Sequence, residues 1–297
     1  MNNVPRETIK ENPSIEGFSG IKVIDLKDYF LTQEEFSIYK DDKTGVHFTF
    51  PQPLNDLSRY YESENYISHT DGKKSLFEKI YQIAKQYNLD QKLKLIKEST
   101  QGKSILDYGC GAGDFLQHMQ RNGYDVTGME PNPKANEISK SKIGNENVVN
   151  CELKDINQKF DIITMWHVLE HIPNLNEILA ELKKHLNPGG TLIIAVPNHL
   201  SYDANYYGKY WAAYDVPRHL WHFNPESIKR LVNNFGMKIE NVNPMKLDAF
   251  YVSLLSEKYK GNSFPFLKAF CIGLKSNRLA QKTGQYSSLI YTIKANN

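Results

Sequence analysis

The sequence predicts an open α/β fold built on a doubly wound, mostly parallel sheet, and three observations carry that prediction. From Ser104 onward, short apolar runs alternate with helix-patterned stretches, the order that βαβ crossovers impose on a parallel sheet. A glycine-rich turn, Gly109–Gly113, directly follows the first run and opens a helix, the place where such sheets bind ligands. Breakers sit at the joints: Pro133 in the first turn of one helix, Pro188-Gly189-Gly190 stopping another, Pro225 and Gly236 bracketing a third.

Element by element, the strands are SILDY (104–108), DVTGM (125–129), NVVNC (147–151), FDIITMW (160–166), TLIIAV (191–196), MKIENVN (237–243) and SSLIYTIKA (287–295). The helices between them are DFLQHMQRNG, PNPKANEISKSKIG, NLNEILAELKKHLN and PESIKRLVNNFG. Upstream, Leu76, Phe77, Ile80, Ile83, Ala84 and Tyr87 share one helical face, with a second helix expected near Asp90. Phe36–Phe50 reads as a hairpin around Asp-Asp-Lys-Thr-Gly, ended by Pro51 and Pro53. The stretch 248–282 fits neither period cleanly. The expected organisation is an N-terminal extension over 1–72 and a main domain over 73–297, within which 198–224, dense in Tyr, Trp and His, is a substrate lid, with a hydrophobic plug as the other reading.

Composition narrows the classes. With 297 residues, 40% hydrophobic and 12% aromatic, the chain has material for one large or two modest cores, which excludes collagen-like and wholly disordered readings. A net charge of +2 gives no reason to expect a nucleic-acid partner. Three scattered cysteines, Cys110, Cys151 and Cys271, suit a reducing compartment. The N-terminal residues lack an apolar core and no run of 18 apolar residues occurs, so the expectation is a cytoplasmic protein with no membrane partner.

The turn itself is Asp107-Tyr108-Gly109-Cys110-Gly111-Ala112-Gly113-Asp114. A dinucleotide fingerprint would need its third glycine at position 114, which is Asp, so a nicotinamide-dependent oxidoreductase is the weaker alternative. With ILDYGCGAGDFL, GMEPNP, FDIITMWHVLEHI, LNPGGTLIIAVPN and WAAYDVPRHLWHF in this order over Ser104–Val242, the chain resembles the class I S-adenosylmethionine-dependent methyltransferases, particularly the small-molecule enzymes of the quinone-biosynthesis type. The resemblance implies a Rossmann-like seven-stranded sheet with an antiparallel last strand. It also implies S-adenosylmethionine as cofactor. Gly109, Gly111 and Gly113, with Cys110 between them, would lie against its methionine part, and Asp107 would sit near its ammonium. Glu130 would accept the two ribose hydroxyls through its two oxygens. Pro131 and Leu153 would flank the adenine, and Trp166 and His167 would line the other end.

The methyl acceptor is expected at the carboxyl ends of the fourth and fifth strands. Aligning a nucleophile about 3 Å from the methyl is the main task, and a hydroxyl acceptor also needs its proton removed. His167 and His219 are the candidate bases, being histidines placed beside that edge. Tyr202, Trp211, Tyr214, Arg218 and His222 in the aromatic segment are the candidate acceptor-binding residues, with an Asp215–Arg218 ion pair as the competing structural reading. His167 and His171 have metal-ligand spacing and Glu170 adds a carboxylate, but HExxH is absent and no metal is expected. A small-molecule acceptor such as a sugar, quinone-like compound or secondary metabolite follows; a binding protein that has lost catalysis is the other alternative.

Before the core, relatives of this type carry a cysteine-bearing knuckle and a phrase like FTFPQP…LSRYYESENYISH. The phrase is present at Phe48–His69, but Asp-Asp-Lys-Thr-Gly stands where the thiolates would be, so packing must hold this segment instead. Tyr60, Tyr61 and Tyr66 are candidates for closing over the cofactor.

Overall fold

The computed structural model describes residues 20–62 and 76–295, with side chains of the second stretch from residue 82 onward. Strands β4 (Ser104–Tyr108), β5 (Asp125–Met129), β6 (Val148–Val149), β7 (Phe160–Trp166), β8 (Leu186–Pro197), β10 (Met237–Pro244) and β11 (Ser288–Ala295) form one sheet in the order β10-β11-β8-β7-β4-β5-β6. β11 runs antiparallel to both of its neighbours, while β7, β4, β5 and β6 pair in parallel. This is the sheet that the alternating text predicts.

Burial on both faces explains why the central strands read as unbroken apolar runs. Along β8, Leu192, Ile194 and Val196 join one core while Ile193 and Ala195 join the other. Helices α4 (Leu175–Lys184) and α6 (Pro225–Asn233) cover the first face through residues such as Leu179, Leu182, Ile228 and Leu231. Helices α1 (Leu76–Ser99), α2 (Asp114–Arg121) and α3 (Pro133–Ile143) lie on the other, through Leu93, Ile96, Leu116, Met119 and Ile143. α1 is one continuous helix rather than two. Its buried apolar residues among the described side chains are Leu93, Leu95 and Ile96, whereas Ile83 and Tyr87 are exposed; the expected apolar face at Leu76, Phe77 and Ile80 lies outside the described side chains.

A second, antiparallel sheet follows the order β1-β2-β3-β9, with β1 (Gly20–Lys27), β2 (Glu35–Asp41), β3 (His47–Phe50) and β9 (Trp221–His222). The hairpin turn is held by Asp41, whose carboxylate accepts the Thr44 N–H at 2.7 Å and the Thr44 hydroxyl at 2.6 Å. Because β9 comes from the 198–224 segment, that segment is woven into the N-terminal sheet. Tyr39, Val46 and Phe48 join the core that covers the main sheet.

The remainder of the expected lid is also packed. Helix α5 (Tyr202–Tyr207) and the loop after it bury Tyr207, Trp211, Ala212 and Ala213 against Val252 of α7 (Asp248–Tyr259) and Ile272 of α8 (Pro265–Thr283). Buried Asp203 anchors this cap, accepting from Trp211 Nε1 at 2.8 Å, the Ser276 hydroxyl at 2.6 Å and the Ser287 hydroxyl at 2.7 Å. The segment is thus packed as a cap against α7 and α8.

Candidate active site

β4 delivers Asp107 to the carboxyl edge of the sheet, and the chain then turns through Gly109, Gly111 and Gly113 at φ of 78°, 54° and 76°. Those values lie in the left-handed region that glycine adopts without penalty. A Cβ on Gly109 would come within 2.6 Å of Val168, and one on Gly113 within 2.6 Å of Ser139, so these two are also packed tightly. At Gly111 a Cβ would meet nothing within 4 Å. The middle of the loop therefore faces open space.

β5 ends at Met129, whose carbonyl accepts the N–H groups of Gly109 and Cys110 at 2.8 and 2.9 Å. Glu130 follows and is fixed by the backbone alone: Gly111 N–H donates to Oε2 at 2.8 Å and Asn132 N–H to Oε1 at 2.8 Å. Each oxygen keeps a further acceptor position. Leu153 is buried in the same core cluster as Met129, and Pro131 is exposed. Cys110 departs from the expected set. Its N–H is taken by Met129, its sulfur lies 3.6 Å from the Ser139 hydroxyl, and burial pushes the thiol up to about 12.

Asp107 is buried and accepts the Thr164 hydroxyl at 2.6 Å. Burial raises its carboxyl to about 7, against the opposing pull of Thr164 and Lys92. Lys92 of α1 is a residue that sequence reading missed. Its ammonium lies 4.0 Å from the Trp166 ring centre, and burial lowers it to about 8 while Asp107 and Asp248 hold it up. Trp166 Nε1 is buried with no hydrogen-bond partner among the described residues.

His167 follows at φ 56°, and both ring nitrogens meet carboxylates: Nδ1 faces Glu170 Oε1 at 3.3 Å and Nε2 faces Asp248 Oδ2 at 3.0 Å. Burial disfavours the charge, but the two carboxylates outweigh it and raise the imidazole to about 10. His167 is therefore an imidazolium with no free lone pair, and the expectation that it serves as general base is corrected. Asp248, from the stretch whose sequence was ambiguous, was also missed.

Beyond His167 a different set converges. Glu170, His171 and His219 each offer one acceptor atom, all within 4.8 Å of one another. His171 Nδ1 lies 2.9 Å from the Arg218 carbonyl and His219 Nδ1 lies 2.9 Å from the Ala213 carbonyl. A carbonyl only accepts, so both Nδ1 atoms carry a proton, and in the neutral ring the lone pair falls on Nε2. Burial and His219 depress His171 to about 4. Glu170 is fully buried, and its Oε2 has no partner among the described residues. Two imidazoles and a carboxylate are also a donor set that a divalent cation takes. The His167–His171 pair does not stack on one helical face, because Leu169–His171 is a single 3₁₀ turn. Tyr61 reaches this cluster, its hydroxyl 3.1 Å from His171 Nδ1.

The expected acceptor-binding residues are engaged in contacts of their own. Arg218 is 1% exposed and pairs with Asp28 at 2.8 Å and Asp215 at 2.7 Å, so the structural reading holds. Trp211 is committed to Asp203. His222 is buried 3.0 Å from the Thr49 hydroxyl and stays neutral because burial drives its pKa well down. Tyr214 meets Trp211 and His222 edge-on, and Tyr202 carries the Lys275 ammonium over its ring. Tyr60 is a core residue bonded to Glu34 and Arg59; Tyr66 lies outside the described residues.

Comparison with known proteins identifies the family. A family model described as "Methyltransferase domain" matches residues 80–242. The ubiquinone biosynthesis O-methyltransferase of Schizosaccharomyces pombe, a mitochondrial protein, is 33% identical over 103 residues, covering 32% of this chain and 38% of that protein. The ubiquinone biosynthesis O-methyltransferase of Coxiella burnetii is 29% identical over 116 residues, covering 36% and 50%. The chain thus spans half or less of the length of these relatives. Among solved structures, magnesium protoporphyrin IX methyltransferase from Synechocystis PCC 6803 with bound SAH superposes at a TM-score of 0.51 with 15% identity, covering 82% of this chain and 94% of that one; this likeness concerns the fold. Since the family model spans more than half of its residues, the chain belongs to the methyltransferase-domain family.

Proposed function

We propose that this chain is an S-adenosylmethionine-dependent methyltransferase that methylates a hydroxyl oxygen of a small-molecule acceptor. The observation that carries the reading is Glu130, a carboxylate locked by two backbone N–H groups beside the open middle of the glycine turn. Two acceptor oxygens in one plane suit a vicinal diol such as ribose. Asp107 and Lys92, close enough to shift each other's titration, suit the ammonium and carboxylate of an amino-acid tail. The residues present therefore fit the cofactor.

Bound S-adenosylmethionine supplies an activated methyl group; this chain's residues supply alignment and the route for the proton. His219 takes the acceptor's proton on Nε2, its Nδ1–H being held by the Ala213 carbonyl. Glu170 Oε2, unpartnered among the described residues, favours the resulting imidazolium. His167, charged between Glu170 and Asp248, fixes Glu170 and ties α7 to the end of β7. The S. pombe and C. burnetii proteins are named for ubiquinone biosynthesis, which makes quinone-type acceptors the first class to try here.

The test is transfer of labelled methyl to a panel of catechols, hydroxyquinones and sugars. The reading expects turnover with at least one, and His219→Ala should lower kcat by about 10²-fold with cofactor affinity unchanged. Full activity in His219→Ala would remove it as base. Activity abolished by a chelator and restored by a divalent cation would reassign Glu170, His171 and His219 to holding a metal.

A further inference from the structure

We infer that the outer face of α8 seats the protein on the surface of an anionic lipid bilayer. The helix is built inside out for a soluble protein. Its inward residues are mostly small, Ala269, Gly273, Ser276 and Ala280, with Ile272 the exception. Gly273 is needed for the close approach of α7, since a Cβ there would lie 2.6 Å from the Phe250 ring. The large apolar residues point outward: Phe264 is 83% exposed, Leu267 75%, Phe270 55%, Leu274 49% and Leu279 40%. Leu267, Phe270, Cys271 and Leu274 are all exposed at the i, i+3, i+4, i+7 spacing of a single helical stripe. Buried sides normally take such a stripe; here it faces out.

Charge decides what covers it. Seven Lys or Arg and no Asp or Glu lie beyond residue 257. Lys258, Lys260, Lys268, Lys275, Arg278 and Lys282 are exposed around the stripe. Glu257, the last acid in the sequence, is fully buried and lies 3.7 Å from Lys268. A second copy docking through this face would bring basic groups against basic groups. Anionic headgroups complement them instead, while the Leu and Phe side chains enter the acyl boundary. Lys260 and Lys268 lie within about 6 Å of the ring of half-exposed Tyr206, and tyrosines favour that headgroup depth. Among the described residues no helix is long and apolar enough to cross a membrane, so α8 lies in the interface plane. The inference departs to this extent from the expectation of no membrane partner.

The experiment is flotation of the full chain with vesicles of phosphatidylcholine alone or with about a third phosphatidylglycerol. The inference expects binding to the anionic vesicles, weakened by salt, and about tenfold lower partitioning for Leu267→Gln/Leu274→Gln. A thermal melt of that variant should match the wild type, since both residues are exposed. No binding of the wild-type chain, or undiminished binding of the variant, would overturn it. So would a dimer in light scattering that becomes monomeric in the same variant, which would give the face to a second copy. Vesicle binding is read without methyl transfer, so it stands or fails apart from the proposed activity.

Discussion

A histidine acts as base or counter-ion according to what its two nitrogens touch, and this chain contains both cases a few ångströms apart. His167 spends both nitrogens on Glu170 and Asp248. His219 spends one on a carbonyl and keeps the other lone pair. Sequence position alone favoured His167, because the deciding partner, Asp248, lies far along the chain. Asp107 shows the same dependence on surroundings. Burial holds its carboxyl near 7, and a bound ammonium favours the ionised form. Cofactor binding must then release a proton as pH falls through that value, so affinity weakens in acid. We expect about tenfold weaker S-adenosylmethionine binding at one unit below that pKa, measured by titration calorimetry. Asp107→Asn should bind weakly with no such pH dependence; a retained dependence would assign the proton to another group.

At the scale of elements, Arg218 is the joint between the N-terminal sheet and the cap. It bonds Asp28, Asp215 and the Tyr60 carbonyl while stacking over Phe30. Arg218→Met leaves fully buried Asp28 without its counter-charge, which should cost about 3–5 kcal/mol in denaturant unfolding. Adding Asp28→Asn should restore part of that loss; equal stability of the single variant and wild type would contradict the assignment. Elements buried on both faces were legible from the text, as β4, β7 and β8 were, because apolar runs between Gly and Pro have few other uses. β1 was not, because six of the eight residues of GIKVIDLK face solvent or sit at intermediate depth. β9 was not, because a two-residue strand has no period and its partners are about as distant in sequence as Thr49 is from His222. α7 and α8 stayed ambiguous because small residues pack inward and large ones outward, inverting the usual pattern. The glycine turn and Glu130 were legible because backbone geometry and ligand chemistry are encoded locally there. Lys92 was not, since nothing in α1 marks which lysine is buried.

For the whole molecule, a net charge of +2 conceals an uneven distribution. Only seven of the 36 basic residues lie beyond residue 257, but none of the 34 acidic ones does, so the average hides a basic, apolar-faced end. The N-terminal sheet and the seven-stranded sheet share one core, the cap buries a cluster of its own, and the three meet around Glu170, His171 and His219. The account rests on the cofactor site at the centre of that assembly. Calorimetric titration of the full chain with S-adenosylmethionine, beside Glu130→Ala, tests it most directly. The account predicts one saturable site in the wild type and at least about tenfold weaker binding in the variant, with both folded by circular dichroism. Binding that is absent from the folded wild type, or unchanged in the variant, would contradict it.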